Sequence, residues 1–351
     1  MQQGDKAPHS AGPNRLKAGK LPVGLLERLL AGIRTSPRVL IGGGIGRDAA
    51  VIEFSEETER LLVAKTDPIT FATDRIGWYA VNINANDIAC MGADPVWFLA
   101  TVLLPENCEE ALAAAIFSQI QQACDELEVA LVGGHTEVTV GIDRPLIAGC
   151  MLGEVPRSRL IRPESAVIGD LLVLTQGIAI EGTAVLAREA PLELRAAGVD
   201  PGTVESARRM LDDLGVSVVQ AARVLRDIDA VHALHDPTEG GLATAICELA
   251  TAAGLGLRLS SENIPVFPET AGICQALGLD PLGLLASGSL LAAVDPSGIE
   301  AVTEELDAFG IPNSVIGELI SPDEGFISTS LAGDEPLKMF ERDELARYLE
   351  N

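Results

Sequence analysis

"AVNINANDIACMGADP", residues 80–95, places three asparagines and an aspartate among apolar residues and then turns through Met-Gly-Ala-Asp-Pro. Ala80, Val81, Ile83, Ala85, Ile88, Ala89 and Met91 recur mostly three or four apart, which reads as the buried face of a helix. Asn82, Asn86 and Asp87 ride on that helix, and Gly92 ends it ahead of Asp94-Pro95. A carboxylate on so apolar a helix needs a partner. A hydrogen-bonded cap is the plain reading of Asp87; a metal or phosphate site is the sharper one.

Outward from this helix the chain alternates strands and helices. VLIGGGIGRDAAVIEF (39–54) reads as a strand, a glycine turn and a second strand, and LLVAKTDPITF (61–71) as a strand ending in a polar turn. WFLATVLLP (97–105) is a further strand, and CEEALAAAIFSQIQQACDELEVA (108–130) a helix with apolar positions at helical spacing. ALVGGHTEVT (130–139) reads as a strand and turn, and PLIAGCMLGEV (145–155) as a strand. PRSRLIRPESAVIGD (156–170) marks a boundary. After it come a strand, glycine turn and helix in DLLVLTQGIAIEGTAVLARE (170–189), a helical region over 204–225 and the turn HDPTEGG (235–241). The helix LATAICELATAAG (242–254) and the strands GSLLAAV (288–294) and SVIGELI (314–320) complete the pattern. The expectation is an α/β or α+β chain of two domains: a polar tail over 1–18, a first domain over 19–157 and a second over 158–351.

The composition narrows the function. Of 351 residues, 51 are Asp or Glu and 25 Lys or Arg, a formal charge of −26. Such a surface repels nucleic-acid phosphates and anionic lipid, which excludes both as partners. A nucleotide phosphate would need divalent cations to bridge it to carboxylates. The six cysteines (Cys90, Cys108, Cys124, Cys150, Cys247 and Cys274) include no CxxC pair and sit in apolar segments. They read as reduced core thiols of a cytoplasmic protein. The first residues show no apolar signal core, and no apolar run approaches the ~18 residues of a membrane span.

Polar residues gather at element ends in four clusters: Gly44, Gly46, Arg47 and Asp48; Lys65, Thr66 and Asp67; Asn86 and Asp87; and Gly133, Gly134, His135, Thr136 and Glu137. Glycines let backbone N–H groups approach phosphate closely. Magnesium needs a few hard oxygens, which Asp48, Asp67, Asp87 and Glu137 would supply if the fold joins the clusters. Each alone has a plain explanation as a turn or cap. The glycine run matches neither GxxxxGK[ST] nor a GxGxxG that opens a helix.

These clusters, in this order, resemble the AIR synthase (PurM-like) superfamily, which includes the hydrogenase maturation factor HypE, thiamine-monophosphate kinase, selenophosphate synthetase and AIR synthase itself. The resemblance runs from Gly19-Lys20-Leu21-Pro22 nearly to the C-terminus, through GIGRDAAVI, KTDPITF, NDIACMGADP, GGHTEV, GDLLVLTQGIAIEGTAVLA and HDPTEGGLA. It implies two α/β domains, with first domains pairing into a dimer whose sheets form a barrel and ATP in the cleft beside it. It implies metal ligation by Asp48, Asp67 and Asp87, and a phosphate turn at Gly133, Gly134, His135 and Thr136. Arg47 or Lys65 would be the cation near the phosphates. Asp87, His235 and Asp236 are the candidate catalytic residues, the last two facing the acceptor.

Within the superfamily, HDPTEGGLA resembles the HDPTRGGLA pattern of HypE. Three features depart from it. The GDDAA turn reads Gly46-Arg47-Asp48, with a cation in place of a carboxylate. Glu239 reverses a charge. HypE ends in a Pro-Arg-Ile-Cys tail whose thiol carries the carbamoyl group that ATP helps dehydrate, whereas this sequence ends Ala346-Arg347-Tyr348-Leu349-Glu350-Asn351 and its last cysteine is Cys274. The expectation is therefore a HypE-like, Mg-dependent, ATP-using homodimer that performs phosphoryl transfer or dehydration on an unidentified small or protein-bound substrate. The alternatives are a small-molecule kinase of the thiamine-monophosphate type and a non-catalytic nucleotide-binding scaffold. Selenophosphate synthetase fits less well, because no cysteine precedes Cys90.

Overall fold

A computed structural model of the chain describes residues 23–31, 36–55, 57–70 and 74–349. The expected tail over 1–18, the segment Gly19–Pro22 and Phe71 lie outside the described residues. The first stretch runs α1 (Val23–Leu30), β1 (Val39–Ile41), β2 (Ala50–Ile52), β3 (Arg60–Ile69), α2 (Ile76–Cys90), β4 (Asp94–Pro105), α3 (Glu110–Leu127), β5 (Ala130–Thr139) and β6 (Leu146–Pro156). Its strands form one six-stranded sheet in the order β1-β2-β3-β6-β4-β5. All neighbours are antiparallel except the parallel pair β4–β5.

The second stretch runs β7 (Leu171–Thr175), α4 (Ile180–Glu189), α5 (Pro191–Ala196), α6 (Pro201–Asp213), α7 (Val219–Leu225), β8 (Val231–His235), α8 (Gly241–Ala253), β9 (Gly256–Ser260) and α9 (Pro268–Leu277). It closes with β10 (Leu291–Val294), α10 (Ile299–Ala308), β11 (Asn313–Ile320), β12 (Phe326–Ser330), β13 (Gly333–Pro336) and α11 (Glu344–Leu349). The seven-stranded sheet has the order β13-β12-β9-β11-β7-β10-β8. The fold is thus mixed α/β on two sheets, as the alternation of segments implies. None of the described helices is long and apolar enough to cross a membrane.

Helix α2 departs from the one-faced helix that its apolar spacing suggests, because every one of its residues is buried. It packs on β3 and β6 on one side, on α3 on another, and on α7 and β8 of the second half on a third. Its asparagines are tolerated there because their amides have partners. Asn82 Nδ2 donates to Trp78 O at 2.9 Å, and Asn84 Nδ2 donates to Ala80 O at 2.8 Å. Asn86 reaches across to the second half, donating to Val216 O at 2.8 Å and accepting from Val218 N–H at 2.9 Å.

The reading of residues 130–139 as a strand and turn is corrected: they form one continuous edge strand, β5. Gly133 and Gly134 take φ of 153° and 148°, an extended form that only glycine adopts readily, so the chain does not turn there. A Cβ on Gly134 would stand 2.0 Å from Ala100 O, so β4 also requires the glycine.

Candidate functional site

The loop between β1 and β2 carries Asp48 against the second half. Gly46, at φ +67°, makes that approach possible: a Cβ there would lie 2.2 Å from Glu248 O on α8. Asp48 Oδ1 then stands 2.6 Å from His235 Nδ1, an ion-pair distance without the alignment of a hydrogen bond. The other ring nitrogen, Nε2, is 3.4 Å from Glu248 Oε2. His235 ends β8, and Asp236 follows it at once, 2% exposed.

From the first sheet, β3 presents Lys65 and Asp67, and α2 presents Asp87 and Cys90. Lys65 Nζ lies 3.0 Å from Asp87 Oδ1 and 3.3 Å from Asp67 Oδ2. Asn84 fixes the Asp67 backbone, accepting from its N–H at 2.8 Å and donating to its carbonyl at 3.2 Å. Cys90 Sγ sits 3.7 Å from Asp236 Oδ1. Asp48, Lys65, Asp67, Asp87, His235 and Asp236 therefore meet at the junction of the two halves.

The electrostatics show an excess of negative charge. Burial pushes the Asp87 carboxyl well above its ordinary range; Lys65 pulls it down, but Asp236, Asp67 and Asp48 add to the rise. Burial pulls the Lys65 ammonium down, and Asp87, Asp67 and Asp48 more than reverse this, holding it above its usual range. An isolated ion pair would raise the base and lower the acid; here both rise, because one lysine faces several carboxylates. Asp236 is pushed up to about 6, by burial first and Asp48 second. Burial opposes protonation of His235, yet Asp48 and Glu248 hold its imidazolium well above the usual range.

The donor set fits a hard divalent cation. Among the described residues, Asp48 Oδ2, Asp87 Oδ2 and Asp236 Oδ2 are buried with no hydrogen-bond partner, and carboxylate oxygens are the ligands magnesium takes. An unanswered buried carboxylate oxygen is costly, so a cation there removes a penalty as well as adding attraction.

Several sequence candidates are engaged elsewhere. Arg47 pairs with Glu164 at 2.6 Å, in the segment joining the halves, and donates to Gly42 O at 3.4 Å. A Cβ on Gly44 would meet the Arg47 side chain at 2.9 Å, so this glycine makes room for that arginine. Thr66 Oγ1 donates to Gly149 O at 2.6 Å, and the Asn86 amide is engaged at both ends. Gly133, Gly134, His135, Thr136 and Glu137 are not gathered with the aspartates. Asp67 pairs with Gly149, Gly149 with Ala100, and Ala100 with Gly134. Three strand spacings separate Asp67 from Gly134, roughly 14 Å. On that edge His135 Nε2 meets Glu137 Oε2 at 3.1 Å, both exposed.

Two buried groups were missed at the sequence level. Cys90 was placed with the core thiols, but it borders Asp236. Glu181, the second residue of α4, lies alone in the apolar run IAIEGTAVLA, the same signal that drew attention to Asp87. Burial pushes its carboxyl up to about 7, against a hydrogen bond from Ser287. Of the six cysteines, all free, Cys90, Cys124, Cys247 and Cys274 are buried, while Cys108 and Cys150 are partly exposed. A cavity of about 700 Å³ opens along Arg75, Trp78, Asn82 and residues 211–217, and none of the acidic cluster lines it.

The chain is similar to known proteins over most of its length. The family model for the N-terminal domain of AIR synthase related proteins matches residues 46–155, and that for the C-terminal domain matches 167–329. A putative hydrogenase expression/formation protein of Methanocaldococcus jannaschii is 30% identical over 301 residues, covering 84% of this chain and 86% of its own. The carbamoyl dehydratase HypE of Rhizobium leguminosarum bv. viciae is 29% identical over 286 residues, covering 80% and 79%. A crystal structure of the hydrogenase maturation protein HypE in complex with ATP superposes with a TM-score of 0.69 at 21% identity, over 94% of this chain and 97% of that one; this likeness concerns the fold.

Proposed function

The chain belongs to the AIR synthase related protein family, and from that premise we propose that it binds ATP with Mg²⁺ at the junction of its halves and transfers the terminal phosphoryl group to an acceptor oxygen. The observation that carries this reading is the cluster of Asp48, Asp67 and Asp87 near Lys65, in which Asp48 and Asp87 are buried and each keeps a carboxylate oxygen with no hydrogen-bond partner among the described residues. The HypE relatives and the ATP-bound HypE structure support the choice of nucleotide.

Phosphoryl transfer asks the protein mainly for positioning and charge neutralisation. Asp48, Asp67 and Asp87 would hold Mg²⁺, which would supply the charge neutralisation that phosphoryl transfer asks for. Lys65, kept protonated by the same aspartates, supplies a fixed positive charge beside them. His235 and Asp236 stand across the junction, where they can orient an acceptor and exchange its proton. The relatives' name, carbamoyl dehydratase, points to an amide-type acceptor. Phosphorylating the amide oxygen and then releasing it as phosphate converts a carboxamide and ATP into a nitrile, ADP and phosphate.

The direct test is ADP release from ATP with Mg²⁺, alone and with carbamoylated thiols or thiamine monophosphate as acceptor. Mg-dependent release stimulated by a carbamoyl acceptor is the expected result. Stimulation by thiamine monophosphate would mark the small-molecule kinase instead, and tight ATP binding with no ADP from any acceptor would mark a scaffold. Asp87→Asn should weaken Mg·ATP by about 1–3 kcal/mol, the cost of a lost charged partner, as read by calorimetry.

The same reading includes a homodimer in the cytoplasm. Strand β5 is an exposed edge, with Val132 and Val138 on it, and Val140 just past its end, more than half exposed. Leu62, Ala64, Leu99, Cys150 and Leu152 are only partly covered on the sheet. Edges and apolar faces of this kind favour association. A second copy would cover them and could bring its residues 133–137 towards the aspartates that one chain leaves roughly 14 Å away. Light scattering at micromolar concentration should give twice the 36.7 kDa chain mass; a clean monomer would remove this part of the reading.

A further inference from the structure

We propose that Cys90, Asp48 and Asp236 form a binding site for a thiophilic divalent cation that joins the two halves of the chain. The inference rests on reading the junction as a cation centre and adds a soft ligand that the proposed Mg·ATP chemistry does not require.

The three residues arrive from separate elements: Cys90 from the end of α2, Asp48 from the β1–β2 loop and Asp236 from the segment after β8. One ligand atom from each lies within 4.8 Å of the others, and all three residues are buried. Cys90 Sγ and Asp236 Oδ1 are 3.7 Å apart. A tetrahedral ion with a sulfur at ~2.3 Å and an oxygen at ~2.0 Å holds those atoms roughly 3.5 Å apart. The observed separation therefore needs little adjustment to take an ion.

The oxygens are also free to bind. Asp48 is 6% and Asp236 2% exposed, and among the described residues Oδ2 of each has no hydrogen-bond partner. Neighbouring cations answer only part of this charge: Lys65 is shared between Asp87 and Asp67, and His235, which meets Asp48 Oδ1, is shared with Glu248, so Oδ2 of Asp48 and of Asp236 stays without a hydrogen-bond partner among the described residues. Among the described residues, no other cysteine falls in such a group of ligands. Cys124, equally buried on α3, behaves as an ordinary core thiol and serves as the control. A thiolate selects Zn²⁺, Co²⁺ or Cd²⁺ over Mg²⁺, which prefers oxygen alone. Three protein ligands leave one position open, the pattern of catalytic rather than structural zinc sites.

The test is a titration of the chelator-treated full chain with Co²⁺, read by the thiolate-to-cobalt charge-transfer band in the near ultraviolet, with Mg·ATP calorimetry on the same samples. The expected result is one Co²⁺ per chain with that band, no band in Cys90→Ser, and an unchanged band in Cys124→Ser. Losing a ligand should weaken Co²⁺ by at least about tenfold, since even outer partners of metal ligands cost that much. Asp236→Asn, which keeps the thiol, should show the same weakening with the band retained, and it stands in if Cys90→Ser does not fold. Absence of the band in the wild-type chain, or its persistence in Cys90→Ser, overturns the proposal. If that happens with Mg·ATP binding intact, the ATP reading stands; a normal cobalt band with no Mg·ATP binding would overturn the ATP reading and leave this site.

Discussion

Lys65→Met should destabilise the metal-free chain by about 3 kcal/mol, the low end of the cost of removing one partner from a buried ion pair. Methionine keeps most of the side-chain volume and removes the charge, so the effect is electrostatic rather than a cavity. Lys65 Nζ lies 3.0 Å from Asp87 Oδ1 and 3.3 Å from Asp67 Oδ2, and Asp87 is 5% exposed. Without the ammonium, Asp87 must take up a proton or remain a buried, unanswered charge. Proton uptake limits the loss, which is why the low end applies. Added Mg²⁺ should recover part of the stability in Lys65→Met, because a second cation can stand in for the first. Urea unfolding with and without Mg²⁺ checks both points, and an unchanged midpoint in the metal-free variant would mean that Lys65 is not the cluster's main counter-charge.

The second large effect is a pH dependence set by Glu181. In the folded chain its carboxyl is pushed up to about 7 from an ordinary 4.5, chiefly by burial, with the Ser287 hydrogen bond pulling the other way. The folded state therefore holds this proton more tightly than the unfolded state. Its contribution to stability is complete below about pH 4.5, is lost as pH rises through about 7, and is flat above that. At 1.36 kcal/mol per unit, the gap amounts to roughly 3 kcal/mol. Glu181→Gln has no proton to lose, so relative to wild type it should gain roughly that much between about pH 5 and about pH 8. Paired urea melts at the two values give this difference directly. A constant difference would show that the Glu181 carboxyl titrates normally.

Much of this arrangement was legible in the residues. The apolar spacing over 80–91 declares a buried helix, and an aspartate on it demands a partner. What spacing could not show is that α2 is covered on every side, because two of its covers come from α3 and from the second half. The pairing of Asp87 with Lys65 depends on β3 lying beneath α2, a tertiary fact with no local signature. The GGHTEV segment was misread as a turn because a glycine pair usually breaks a strand; here φ near 150° keeps the chain extended. Arg47 follows the glycines like a phosphate ligand, yet Glu164, 117 positions on, claims it at 2.6 Å. Asn86 sits beside Asp87 but stitches α2 to Val216 and Val218. The family resemblance set His235 and Asp236 facing an acceptor, but their meeting with Asp48 across the two halves has no signature in the sequence. Glu181 could have been found from sequence by the rule applied to Asp87: a lone carboxylate in an apolar run needs an explanation.

The central claim is that the carboxylates at the junction bind ATP through a divalent cation. Calorimetric titration of the full chain with ATP, once with Mg²⁺ and once with excess chelator, tests it most directly. The account predicts saturable binding with Mg²⁺ and little or none under chelator, since the cluster's negative charge then faces the phosphates unshielded. Binding equally tight in both conditions would contradict it.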